Sequence, residues 1–332
     1  MTGNASSYLE IYLGPLLPQL MRAEVTDLYI NHPGEIWIET LGGATERHDL
    51  PELDDQLLGR LARQIASITH QGISREYPIL AAKLPDGARV QIVAPPATRG
   101  PMAVAIRKHV ASDLSIADYE ASGAFTSTRK AGVQDESEVE FARLYDRGEW
   151  GAFLRQAVRA RKTIIVSGGT STGKTTFVNA LMREIDPAER LILIEDTPEL
   201  VLRHPNAVGL VAVRGELGEA SVTMEDLLVA ALRMRPDRII LGELRGIEAF
   251  TFLRAVNTGH PGSLTTIHAD TPDGAMEQLA LLVLQRGTQM RREDILAYLA
   301  GVIDVIVQLE RRGGVRSVRN VVWRLSTPYR SP

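Results

Sequence analysis

The stretch "TIIVSGGTSTGKTTFVNALMREI", residues 163–185, decides how this chain folds. It opens with a short β-branched, apolar run of strand length, turns through glycines, and leaves with apolar residues at helical spacing. Inside it, "GGTSTGKT" fits G-x-x-x-x-G-K-[ST] through Gly168, Gly173, Lys174 and Thr175. The glycines let the backbone wrap a phosphate with successive N–H groups pointing inward, and the helix start adds partial positive charge. Gly168, Gly169, Thr170, Ser171, Thr172, Gly173, Lys174, Thr175 and Thr176 are therefore expected to cradle the phosphates of ATP. Lys174 should reach the β- and γ-phosphates, and Thr175 should hold Mg²⁺.

Working outward, residues 141–332 read as apolar strands alternating with helices. "TIIVSG" (163–168), "RLILIED" (190–196), "RIILGEL" (238–244) and "GSLTTIHA" (262–269) are the strands, with helical segments at 175–185, 224–234 and 247–256. Strands apolar on both faces imply a mostly parallel sheet covered by helices on each side. Beyond residue 300 a closing hairpin is expected around Gly313-Gly314.

Ligands of a parallel sheet bind at the carboxyl ends of its strands, so acids and histidines there are candidates. Glu195, Asp196 and Glu199 follow one strand; Glu195 is the preferred group to orient or deprotonate the attacking water, with Glu199 the alternative. Glu243 ends the next strand, where it could reach Mg²⁺ through a bound water, with Gly242 leaving room for it. "NTGHPGSLTTIHAD" (257–270) carries two of the chain's seven histidines. A zinc site would need further ligands, and Asp270 alone offers thin support. His268 is expected beside the γ-phosphate as a sensor of hydrolysis, and His260 as a second contact or a structural cap.

Residues 1–130 have a different texture, mixing helices with antiparallel strands as an α+β domain. A hairpin is predicted over 27–40 about His-Pro-Gly-Glu, a helix over 57–72 stopped by Gly72, and strands over 88–96 and 102–109. The polar stretch 111–138 reads as a linker running to about 140, with the boundary near residue 130. The chain's 332 residues suit two domains, and 44% apolar with 23% charged residues is ordinary globular composition. A net charge of −4 argues against a surface built mainly to grip nucleic acid or anionic lipid. The absence of cysteine excludes disulfides, thiolate metal sites and a cysteine nucleophile. With no signal peptide and no apolar run near the ~20 residues of a membrane span, a cytoplasmic protein is expected. The weakly amphipathic stretch 8–21 is the one hint of peripheral membrane contact.

The phosphate loop, the "IEDTPEL" box, the "LGELRG" strand and the "TGHPGSLTTIHA" box resemble, in that order, the secretion traffic ATPases. Type II secretion and pilus-assembly members usually carry a tetracysteine module, absent here. "LPDGARVQIVAPP", "AIRKH" and "RMRPDRIILGELRG" look like the type IV secretion and conjugation branch, of the VirB and Trb type. The resemblance implies an α/β fold: a RecA-like P-loop NTPase domain behind the smaller α+β domain. It also implies a homo-hexameric ring at the cytoplasmic face of the inner membrane. Expected partners are inner-membrane components of a secretion or conjugation channel and a coupling-protein ATPase. Arg89 and Arg107 match the family's amino-terminal arginines that reach the terminal phosphates, whereas Arg233, Arg235 and Arg245 could face a neighbour or substrate. The alternatives are a DNA-stimulated helicase or recombinase-like ATPase, and a nucleotide-gated scaffold with little turnover. Direct nucleic-acid binding stays open.

Overall fold

Alternating side chains give the amino-terminal strands two faces, and the structure uses both. A computed structural model describes residues 3–108, 115–126, 128, 136–213 and 218–323. The boundary expected near residue 130 lies outside the described residues, but the described part of the expected linker is not all irregular: it holds a capped helix at Ile116–Ala121 and the start of another at Glu136. The first half runs α1 (Gly3–Leu13), a 3-10 turn, α2 (Leu17–Leu20), β1 (Val25–Ile30), β2 (Glu35–Thr40), β3 (Thr45–Asp49), α3 (Asp55–Ile68), β4 (Ile79–Lys83), β5 (Arg89–Val93) and β6 (Ala103–Arg107). The six strands form one antiparallel sheet in the order β3-β2-β1-β6-β5-β4. Leu28, Ile30, Ile92, Val104 and Ile106 pack against Leu58, Leu61 and Ile65 of α3 and Leu9 and Leu13 of α1. The intervening Tyr29, Trp37, Val93, Ala103 and Ala105 join a different core, with Ile192, Leu210 and Leu227 of the second half. A period of two thus builds a core on one face and a docking surface on the other.

The predicted hairpin at 27–40 is β1–β2. Helix α3 starts where Asp54 accepts the Leu57 N–H at 2.7 Å, a side-chain cap. It stops before Gly72: His70 takes the left-handed conformation (φ 55°), and the Gln71 N–H returns to the Ala66 carbonyl at 2.8 Å. A histidine does there what glycine was expected to do.

The second half contains α4 (Ile116–Ala121), α5 (Glu136–Asp146), α6 (Trp150–Arg159), β7 (Ile164–Ser167), α7 (Lys174–Met182), β8 (Leu191–Glu195), β9 (Ala207–Val211), α8 (Met224–Ala231), β10 (Arg238–Leu241), α9 (Glu248–Asn257), β11 (Leu264–Ile267), α10 (Pro272–Leu284), α11 (Arg292–Val302), β12 (Val305–Arg312) and β13 (Val315–Trp323). Its sheet order is β13-β12-β7-β11-β10-β8-β9, parallel throughout except for the β12–β13 hairpin. That hairpin turns at Gly313-Gly314 as expected, while β3, β4 and β9 are strands that the sequence pattern does not announce. Helices α8 to α11 cover one face, and α5 to α7 cover the other.

The halves meet through polar contacts as well as apolar ones. Arg190, 2% exposed, lies 4.1 Å from the Tyr29 ring centre and donates to Asn31 Oδ1 at 2.7 Å. Asn31 in turn donates to Asn206 at 3.0 Å. Arg235 pairs with Glu39 at 2.6 Å, so it bridges the two halves within one chain.

Candidate functional site: a phosphate cleft at the carboxyl edge

Strand β7 delivers the chain into the turn Gly168–Gly173, and α7 begins at Lys174. Two glycines are sterically required. A Cβ at Gly168 would meet Thr172 Oγ1 at 2.6 Å and the Leu309 carbonyl at 3.0 Å, and Gly173 has φ +93°. The Thr172 hydroxyl donates to the Gly169 carbonyl at 2.9 Å and so braces the turn. Lys174 folds its ammonium back onto the carbonyls of Gly168 (2.9 Å) and Gly169 (3.1 Å), 3.3 Å from the His268 ring nitrogens. Burial lowers the pKa of this ammonium, while Glu243 acts in the opposite sense. A buried cation inside a loop of N–H groups is a strong attractor for phosphate.

The cleft above the loop has a volume of about 400 Å³ and is lined by residues 170–176 together with Glu195, Asp196, Glu199, Glu243, Arg245 and His268. Thr175 donates its hydroxyl to Glu199 at 2.8 Å. Glu243 faces His268 Nε2 at 2.8 Å and also pairs with Arg245, which reaches Asp196 as well. His268 sits at the carboxyl edge because β11 pairs with β7, Ile267 opposite Ser167. Hard oxygen donors from Thr175, Glu199 and Glu243 at the mouth of a phosphate loop suit Mg²⁺, which prefers one or two carboxylates beside phosphate oxygens.

Glu195 differs from expectation. It lines the cleft but is only 2% exposed, and one oxygen accepts the N–H groups of Glu199 and Leu200, both at 2.8 Å. Its other oxygen is paired with Arg99 of the amino-terminal half. Both oxygens are therefore engaged within the protein, and neither faces a water as a free acceptor. Gly242 makes room for this residue rather than for Glu243: a Cβ there would come within 2.9 Å of Glu195 Cγ.

The two histidines part company. Strand β11 carries His268 to the cleft and leaves His260 at its opposite end, where Nδ1 lies 3.1 Å from the Ala255 carbonyl and Ser263 donates to the His260 carbonyl at 2.8 Å. The structure thus brings His260 to a helix end and not to the phosphates. Arg89 and Arg107 also lie outside the cleft. They are exposed register partners at the far end of the β5–β6 pair. Two residues that the sequence does not single out do reach the site. Arg99 is one; the other is Arg316 of β13, which lines the cleft and donates to the Ser171 carbonyl at 3.2 Å. Neither has a local signal, because each arrives by tertiary placement.

Comparison with known proteins agrees with this architecture. Residues 13–313 match the family described as Type II/IV secretion system protein. The chain is 38% identical over 326 residues to the type IV secretion system protein VirB11 of Bartonella henselae, covering 94% of this chain and 91% of that protein. It is 39% identical to the type IV secretion system protein PtlH of Bordetella pertussis, covering 95% and 94%. The crystal structure of the VirB11 ATPase from the Brucella suis type IV secretion system, in complex with sulphate, superposes with a TM-score of 0.88 at 38% identity, covering 95% of this chain and 97% of that one. A RecA-like ATPase domain behind a smaller antiparallel-sheet domain is the fold they share. With its phosphate loop, acidic strand ends and histidine strand in that fold, the chain belongs to the Type II/IV secretion system protein family.

Proposed function

We propose that this chain is an ATP-hydrolysing motor subunit that energises type IV secretion or conjugative transfer, working as a homo-hexameric ring. The observation that carries the reading is the convergence of Lys174, Thr175, Glu199, Glu243 and His268 on one cleft. Lys174 and the turn's N–H groups bind the β- and γ-phosphates. Thr175 and Glu199, with Glu243 through a water, would hold Mg²⁺, which when bound neutralises charge on the phosphate oxygens. Glu243, held by His268 and Arg245, orients the attacking water, and His268 is placed to register the γ-phosphate. Glu195, bound on both oxygens, is assigned to holding the loop rather than to proton transfer.

Arg89 and Arg107 lie about 14 Å of strand beyond the end of β6 that approaches the cleft. Their exposure suits them to the nucleotide of a neighbouring subunit, where guanidinium forks stabilise charge on the transferring phosphoryl group. Arginines in such a role contribute roughly 10³–10⁵ in rate. Among the described residues no helix is long and apolar enough to cross a membrane. Peripheral docking on channel components at the cytoplasmic face of the inner membrane is the mode proposed for this subunit. The deciding experiment is ATP turnover of Lys174→Ala with light scattering of the assembly with and without nucleotide. Loss of turnover with an intact fold is expected, and wild-type turnover would remove the cleft from the chemistry. A helicase-like reading predicts salt-dependent binding of single-stranded DNA with stimulated turnover, measurable in the same assay.

A further inference from the structure

We infer that Arg99 is a positioning residue through which the amino-terminal domain sets the geometry of the ATPase cleft; this rests on the ATPase reading above. Arg99 lies in the β5–β6 connection, "APPATRGPM" (94–102). That connection adds itself to the free edge of β9: Arg99 N–H donates to the Gly209 carbonyl at 2.9 Å, and Val211 N–H donates to the Ala97 carbonyl at 2.9 Å. Thr98 and Leu210 form the antiparallel bridge between them. The amino-terminal domain is therefore hydrogen-bonded into the sheet of its partner domain.

The side chain then crosses β9. A Cβ at Gly209 would lie 2.6 Å from Arg99 Cδ, so this glycine is the passage through which the guanidinium travels. On the other side, Arg99 Nη1 donates to the Leu200 carbonyl at 2.6 Å and Nη2 pairs with Glu195. Burial lowers the pKa of this guanidinium, and the anion it meets, Glu195, is only 2% exposed. The opposite oxygen of Glu195 holds the Glu199 N–H, and the Glu199 carboxylate receives the Thr175 hydroxyl. Four residues thus connect a loop of one domain to the phosphate loop of the other. Each contact is directional: the Arg99–Glu195 pair is buried, the Glu195–Glu199 bond is part-buried and the Thr175–Glu199 bond is exposed. In the low-dielectric part of such a chain, loss of one partner is felt by the next.

The consequence is that hydrolysis depends on domain docking while nucleotide capture does not. The phosphate loop, Lys174 and α7 are all built within the second half. Without Arg99, the buried Glu195 loses its cation, the 195–200 turn loses its anchor, and Thr175 and Glu199 drift from the position that serves the reacting phosphate. A misplacement near 1 Å is enough for an effect of about 10²-fold in rate.

The test uses the full chain, measuring kcat, KM and the Kd of ATP by equilibrium binding for wild type, Arg99→Ala, Arg99→Lys, Gly209→Val and Glu195→Gln. Expected for Arg99→Ala is a kcat lower by about 10²-fold with the Kd of ATP close to wild type. Arg99→Lys should recover part of the rate, Gly209→Val should reproduce Arg99→Ala by blocking the passage, and Arg99→Ala should add little to Glu195→Gln. Wild-type kcat in Arg99→Ala, full multiplication of the two defects in Arg99→Ala/Glu195→Gln, or a loss confined to ATP affinity would each overturn the assignment. Should Arg99→Ala fail to fold, Arg99→Lys decides in its place: a reduced kcat at unchanged affinity supports the role, and wild-type kcat overturns it. Lys174→Ala runs alongside. Persistent turnover there would strike the ATPase site itself, whereas its loss with a wild-type Arg99→Ala would strike only Arg99.

Discussion

The two ends of the parallel sheet hold similar residues and use them in opposite ways. At the amino edge, Arg238 is fully buried, donates to both oxygens of Glu189 at 2.8 and 2.6 Å, and gives a further bond to the Val158 carbonyl at 2.7 Å. Arg161 reaches the same glutamate at 2.9 Å. These charges are closed on one another. At the carboxyl edge, Lys174, Glu243 and His268 face a cleft of about 400 Å³, and Lys174 directs its donors to loop carbonyls that incoming phosphate can replace. Residue type alone does not distinguish structure from chemistry; the distinction lies in whether the partners are already complete.

That contrast can be broken at either edge. The largest stability effect is expected for Arg238→Ala, because it strands a buried Glu189. Removing one partner of such a pair costs about 3–5 kcal/mol, to be read from urea unfolding, with the remaining folded protein turning over normally. Glu243→Gln should do the reverse, lowering kcat by roughly 10²–10⁴-fold, the usual reach of a positioned base, while the unfolding midpoint stays put. If Glu243→Gln were mainly a folding defect, the two edges would not differ as described.

The histidines at the two ends of β11 give the smallest and sharpest comparison. His268→Ala should lower turnover by about tenfold, a loss of ~1.4 kcal/mol in transition-state stabilisation, with ATP affinity retained. His260→Gln should leave turnover unchanged and alter only stability against pH. Burial lowers the pKa of His260 below its ordinary value, the Ala255 carbonyl opposing. The unfolded chain therefore binds a proton there more readily, so stability should fall as pH drops below about 6.5 toward the folded-state pKa. His260→Gln should flatten that part of the profile in thermal melts from pH 5 to 8. A steeper profile, or a kcat defect, would put His260 in the chemistry.

Much of the parallel sheet is legible in the sequence because its strands are apolar on both faces and its phosphate loop has a fixed spacing. The β1–β2 hairpin and the closing hairpin at Gly313-Gly314 are legible through their turns. What escapes has no such local mark. Strand β3, "TERHD", is a polar edge strand with an exposed alternate face, and β9 is an apolar edge run following "RHPN". Helix α3 ends at a histidine in a conformation where glycine is the usual signal. In the cleft, motif spacing locates Lys174, Thr175, Glu243 and His268, since each sits at a strand or helix end that the pattern fixes. Arg99 and Arg316 come from segments distant in sequence. Glu195 looks free in the sequence because its buried cation lies in the other domain.

The hydrogen bonds from residues 97–99 to β9 have one more consequence. An edge strand with open N–H and C=O groups is a template for pairing with another chain. By occupying Gly209 and Val211 of β9, the amino-terminal domain shields part of that template. Severing the two halves would uncover an adhesive strand, so the docking loop also keeps neighbouring copies from joining through the wrong surface.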